Sequence, residues 1–185
     1  YATQIRVPEI VTEIVRKAFK VAQTEKPGAC FIDFPENIAG AEVGGKQPIE
    51  VQKPYTSAPP NFKIEQAAGI ISQAKCPIIL AGNGVIRARA SESLVTFAEV
   101  LHIPVATTFM AKGAIPFSHE LSLGTVGLKA KDWVSFGFEK ADVVICVGYD
   151  MVEYHPEQWN PDCSKRIVHI DVSPAEVDEH YMVEV

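Results

Sequence analysis

The 185 residues suffice for one generous domain, or one domain with part of another, and 47% hydrophobic against 22% charged is ordinary for a globular protein. A formal charge of −6 with no basic cluster removes the electrostatic case for nucleic acid or an anionic membrane surface. No apolar run reaches the length of a bilayer span and no signal peptide is recognisable, so a membrane role is not expected.

The four cysteines, Cys30, Cys76, Cys146 and Cys163, show no CxxC spacing. They offer no support for a zinc site or redox pair and suit a reduced, cytoplasmic setting. Cys30 and Cys146 sit in apolar runs, where a thiol behaves as a small hydrophobe.

In chain order, Pro8 suits the first turn of a helix. Val11, Val15, Ala18, Phe19 and Ala22 then recur at helical spacing until Pro27-Gly28 stops the pattern. The apolar run 29–34, ended by Pro35, reads as a buried strand. One helix and one strand cannot enclose a core, so residues 1–38 are expected to be the C-terminal tail of an upstream domain. Residues 39–60, with three glycines and four prolines, read as a linker.

From residue 61 a different rhythm begins, and 61–185 is expected to form an α/β domain truncated at its C-terminal end. Asn61 is placed to cap a helix bearing Ile64, Ala67, Ala68 and Ile71. Strand 77–81 runs into Gly82-Asn83-Gly84, and a second helix turns Leu94, Val95, Ala98 and Leu101 inward. Strand 104–107 precedes an irregular stretch through Gly113 and Pro116. A helix around 131–140 leads to strand 142–147 and Gly148. Strand 166–171 ends in Ser173-Pro174, which reads as the start of a closing helix. Fully apolar strands alternating with amphipathic helices give a doubly wound parallel sheet with helices on both faces, a Rossmann-like α/β fold. Tyr1 opens without Met and Val185 closes just past that helix start, so the expectation is a segment of a longer chain.

In such sheets ligands settle at the carboxyl ends of the strands. The positions so selected are Gly82, Asn83, Gly84, Thr108, Phe109, Gly148, Tyr149, Asp150 and Asp171. Glycines admit backbone N–H groups to a pyrophosphate, and an acid ending a later strand suits a ribose hydroxyl. Glycine corners are equally needed simply to turn the chain, and a GxG lacking its third glycine is weak as a dinucleotide fingerprint.

None of the five histidines has metal-ligand spacing, and His169 within a strand reads as a hydrogen-bonded packing residue. Glu36, Glu153 and Glu157 read as solvated carboxylates. Tyr154 and Trp159 suit the edge of the core as well as a ligand or subunit contact. No reactive constellation, catalytic or metal-binding, is visible in the chain.

The run Arg6-Val7-Pro8 through Glu25-Lys26-Pro27-Gly28 to Asp33-Phe34-Pro35-Glu36-Asn37-Ile38 resembles the close of the pyrimidine-binding domain of thiamine-diphosphate enzymes. Residues 61–185 resemble the middle domain that follows it. Within that family, Gly148-Tyr149-Asp150 with Glu153-Tyr154 and Trp159-Asn160 is similar to acetolactate synthase of the catabolic type. The resemblance implies condensation of two pyruvates to 2-acetolactate and CO2 on thiamine diphosphate with Mg2+. It also implies that the activating glutamate and the diphosphate motif lie in pyrimidine and diphosphate domains outside this stretch. The segment alone is then inactive, and the full protein is a homo-oligomer.

Gly82, Gly84, Thr108, Met110, Gly124, Gly148 and Asp171 match positions that hold FAD in biosynthetic relatives. Those relatives carry Arg where this chain has Asp150, Asp at Ser173, Met-His at Thr125-Val126, and Arg at Tyr154. A carboxylate in place of a cation repels a diphosphate, so the resemblance implies an empty or vestigial pocket and disfavours FAD, without settling whether it binds. Two other readings stay open: another thiamine enzyme acting on a 2-oxo acid (a pyruvate oxidase or decarboxylase), and a non-catalytic nucleotide-binding or interaction module.

Overall fold

The computed structural model describes residues 1–52, 57–127, 133–176 and 178–185. The chain divides into two compact units, Tyr1–Ser57 and Ala58–Val185.

In the first unit, strand Ala2–Gln4 (β1) pairs in parallel with Phe31–Asp33 (β2), and helix Val11–Gln23 (α1) follows a 3-10 turn at Pro8–Ile10. α1 stops four residues before Pro27, because Thr24 turns extended and its hydroxyl donates to Lys20 O at 2.7 Å. A short helix, Glu36–Ala39 (α2), lies within the stretch around the expected linker boundary. The expected burial of 29–34 does not hold within this unit. Phe31 is 67% exposed and Phe34 is also exposed, because a two-stranded sheet with one helix has no second layer to cover them. Phe19 of α1 is exposed for the same reason, and only Ala18 of the helix is buried.

The second unit is built on five parallel strands: Pro77–Ala81 (β3), Val105–Thr107 (β4), Ser122–Thr125 (β5), Val143–Val147 (β6) and Arg166–Ile170 (β7). Their order is β5-β4-β3-β6-β7, all parallel. The chain moves outward from β3 through β4 to β5, then crosses back to lay β6 on the other side of β3. The direction of winding therefore reverses between β3 and β6. Helices Asn61–Gln73 (α3), Asn83–Arg87 (α4), Ser91–Leu101 (α5) and Trp133–Lys140 (α6) complete the unit. This is the doubly wound α/β fold that the strand pattern implies.

Period-two alternation divides the core cleanly. Ile79, Ala81, Val105, Val143, Ile145 and Val168 face one side, against Ile70 of α3, Val85 of α4 and Leu94 and Ala98 of α5. Ile78, Leu80, Ala106, Val144, Cys146 and Ile167 face the other, against Val134 and Phe138 of α6 and the rings of Tyr149, Trp159 and Tyr181. Burial pushes the Cys146 thiol up to about 12, so it packs as a hydrophobe.

Several local expectations are corrected. Pro60 occupies the N-cap of α3 and Asn61 is its first residue, with no side-chain cap. The segment after Gly84 is two helices, α4 and α5. Leu101 is exposed, because α5 ends there on a left-handed His102 at φ 53°. The irregular stretch after Gly113 contains β5, an edge strand. Residues 131 and 132 of the expected helix 131–140 lie outside the described residues.

The closing helix expected after Ser173-Pro174 does not form among the described residues. Asp171 Oδ1 accepts from Ser173 N at 3.0 Å, closing a local turn in place of a helical one. The chain then returns along β7, with Glu184 N donating to Ile167 O at 2.9 Å and His169 N to Val185 O at 2.7 Å. The returning segment thereby covers part of this sheet edge.

Asp142, just before β6, ties the α3–β3 turn to the sheet. Its carboxylate accepts from Lys75 N at 2.7 Å and Cys76 N at 2.9 Å. Partial desolvation pushes the acid up, but these backbone donors outweigh it and hold the carboxyl below its ordinary value. A depressed folded pKa contributes stability above the unfolded value near ~3.9, lost as pH falls through the folded value. Asp142→Ala is expected to cost about 1–2 kcal/mol at neutral pH. The difference from wild type should shrink as pH falls below the unfolded value in urea unfolding curves; a cost that stays constant with pH would contradict this account.

Candidate functional site

The reversal of winding between β3 and β6 marks the place where an open α/β sheet forms a crevice beyond its strand ends. Gly82 caps α4, with its N–H donating to Val147 O at 2.9 Å. Gly84 N donates to Gly148 O at 2.8 Å, and Gly148 N to Ile170 O at 2.8 Å. The three glycines lie directly on one another. A Cβ on Gly82 would come within 2.4 Å of Gly148 O, and one on Gly84 within 2.6 Å of Gly148 Cα. Gly148 has φ +58°, and a Cβ there would lie 2.5 Å from Val85 N. These glycines are used to bring backbone against backbone.

Beside them stands a carboxylate that the sequence reading treats as solvated. Glu153 is half-buried, and its Oε1 and Oε2 accept from Asn83 N at 3.1 and 3.0 Å. Thr108, fully buried at the end of β4, donates its hydroxyl to Glu153 Oε2 and accepts from Ala111 N at 3.2 Å. Desolvation pushes the Glu153 acid above its ordinary value, against the opposing hydrogen bonds from Thr108 and Asn83. Asp150 pushes it further up, and Arg87 of α4 pulls it down.

The structure thus brings together Gly82, Asn83, Gly84, Thr108 and Gly148, and adds Glu153. Tyr149 turns into the core, with its ring against Trp159 and Tyr181 and its hydroxyl donating to Tyr154 O. Burial pushes the Tyr149 phenol well above its ordinary value. Phe109 projects into solvent. Asp150 Oδ1 accepts from Val152 N at 3.3 Å, and Asp171 closes its own turn on Ser173.

His169 is the packing residue its position suggests. Its Nε2 lies 3.2 Å from Ser173 O, an acceptor, which assigns the proton to Nε2 and lets Nδ1 accept from Tyr181 Oη at 2.9 Å.

The region 64–185 matches the family model described as thiamine pyrophosphate enzyme, central domain. The chain belongs to this family. It is 35% identical to the acetolactate synthase large subunit of Corynebacterium glutamicum, over 96% of this chain and 29% of that protein. It is 33% identical to a glyoxylate carboligase of Escherichia coli O157:H7, over 95% of this chain and 30% of that one. Its fold superimposes on benzoylformate decarboxylase from Polynucleobacter necessarius with TM-score 0.75 at 20% identity, covering 93% of this chain and 33% of that chain. The chain spans only about a third of the length of curated relatives it matches.

The family's cofactor is thiamine diphosphate. Among the described residues, no group of three or more His, Cys, Asp or Glu side chains is placed to hold a metal ion. Among the described residues no helix is long and apolar enough to cross a membrane.

Proposed function

We infer that this chain is the central domain of an acetolactate synthase, which joins two pyruvates with release of CO2 using thiamine diphosphate and Mg2+. The observation that carries this reading is the 35% identity to an acetolactate synthase large subunit, sustained over 96% of the chain. The geometry supports an architectural role for the domain: a five-stranded parallel sheet, tightly packed glycine corners, and acids such as Glu153 and Asp142 held by backbone hydrogen bonds. When bound, thiamine diphosphate supplies the carbanion chemistry. In this reading pyrimidine and diphosphate domains hold it, and the protein is a cytoplasmic homo-oligomer. Exposed Phe117 and Trp133, both 87% accessible, suit contacts with such neighbours.

A second reading, carboligation of glyoxylate, is favoured by the 33% identity to glyoxylate carboligase. The test is turnover by the full-length protein carrying this segment, supplied with thiamine diphosphate and Mg2+. Pyruvate should give 2-acetolactate and CO2. Faster consumption of glyoxylate would move the assignment to the second reading. CO2 without acetolactate would indicate a decarboxylase or oxidase, and no turnover of any 2-oxo acid would leave an interaction module. The 185-residue chain alone is expected to give no acetolactate under the same conditions.

A further inference from the structure

We propose that Glu153 is a built-in occupant of the switch-point crevice, a side chain of the protein standing where a nucleotide diphosphate would otherwise bind, and that it makes this domain reject flavin and adenine dinucleotides. The inference rests on the family fold and the local geometry, and is independent of which 2-oxo acid the enzyme uses.

A dinucleotide at such a crevice needs three things: free backbone N–H groups, space beside the glycines, and a positive field. Among the described residues, the geometry works against each. The Asn83 N–H, at the start of α4, already serves both oxygens of Glu153. The Thr108 hydroxyl gives its one proton to the same carboxylate while accepting from Ala111 N. The space beside Gly82 and Gly84 is filled by the Gly148 backbone, with distances to a notional Cβ of 2.4 to 2.6 Å.

The field also has the wrong sign. Asp150 acts on Glu153 as a like charge, with Arg87 opposing it. A diphosphate would have to displace one carboxylate and lie near a second.

Glu153 is delivered by a braced segment. Its own N–H donates to Asp150 O at 3.0 Å. The next residue, Tyr154, is held through its carbonyl by the buried Tyr149 hydroxyl. On the far side Gly127, at φ +100°, brings backbone so close that a Cβ would lie 3.4 Å from Glu153 O. The carboxylate is thereby positioned from three directions and is not a surface side chain that happens to fold back.

The test titrates FAD into the full chain purified without added flavin, following flavin fluorescence, with wild type, Glu153→Ala and Glu153→Gln compared. Wild type should show no saturable binding. Glu153→Ala, which frees Asn83 N–H, Thr108 hydroxyl and the side-chain volume, should bind at least about tenfold more tightly than the wild-type limit, a modest return for removing one charge contact. Glu153→Gln keeps the volume and loses the charge, and should fall between the two. Should Glu153→Ala fail to fold, Glu153→Gln alone decides the matter. Stoichiometric FAD on the wild-type chain, or variants that bind no more tightly than wild type, would overturn the proposal.

Discussion

Gly148→Ala is expected to destabilise the fold by about 3 kcal/mol or more, enough to leave much of the chain unfolded if total stability lies in the usual range of ~5–15 kcal/mol. Two independent penalties combine. The residue sits at φ +58°, in the left-handed region where a side chain is strained. The added Cβ would also stand 2.5 Å from Val85 N and 2.7 Å from Gly84 Cα, and both are backbone atoms that no rotamer change can move. Relief would require α4 to withdraw from the β6 end, breaking the Gly84 N to Gly148 O bond and disturbing Asn83. Gly69 within α3 is the internal control. No atom lies within 4 Å of its notional Cβ, so Gly69→Ala should stabilise by about 0.5–1 kcal/mol through helix propensity. Chemical denaturation of both variants beside wild type would decide. Equal stabilities would show that backbone contact at the switch point is not what requires these glycines.

That contrast explains how much of the site was legible in the sequence. Gly82, Gly84 and Gly148 stand out because glycine at the end of an apolar strand always serves some backbone need. Which need depends on the strand order, and a linear sequence does not state that β6 returns to lie beside β3. The central strands β3 and β6 announce themselves as apolar runs because both of their faces are covered. Ser122-Leu123-Gly124-Thr125 gives no such signal: β5 is an edge strand, bonded on one side to β4 through an irregular register. Glu153 was hidden for a different reason. Its partners Asn83 and Thr108 lie 70 and 45 residues away, and nothing in its local context separates it from a solvated glutamate. The only hint was its place within the aromatic and acidic segment that follows β6. Ser173-Pro174 misled, because a helix-start signal carries no information about an aspartate two residues earlier that closes the turn first.

Trp159→Ala is expected to cost about 3–5 kcal/mol, lowering the melting temperature by roughly 10 °C in a chain of this size. Trp159 is 2% exposed, with ring centroids 5.9 Å from Phe138, 6.2 Å from Tyr149 and 6.1 Å from Tyr181. Its indole N–H donates to the Tyr149 hydroxyl at 3.4 Å. Removing the indole leaves a cavity among rings that cannot readily collapse together, since Tyr149 and Tyr181 are each held by a hydrogen bond and Phe138 by helix α6. The effect should also travel. Tyr149 holds Tyr154, and Tyr154 follows Glu153, so a loosened cluster releases the carboxylate from Asn83 and Thr108. The chain has two tryptophans, and Trp133 is 87% exposed. Trp159 is therefore expected to give the folded protein a blue-shifted emission component, and Trp159→Phe should remove it at a smaller cost in stability. If the emission of Trp159→Phe keeps its blue component, or Trp159→Ala melts with wild type, the aromatic cluster does not brace this loop, and the fixed position of Glu153 must come from Gly127 and the Asp150 turn alone.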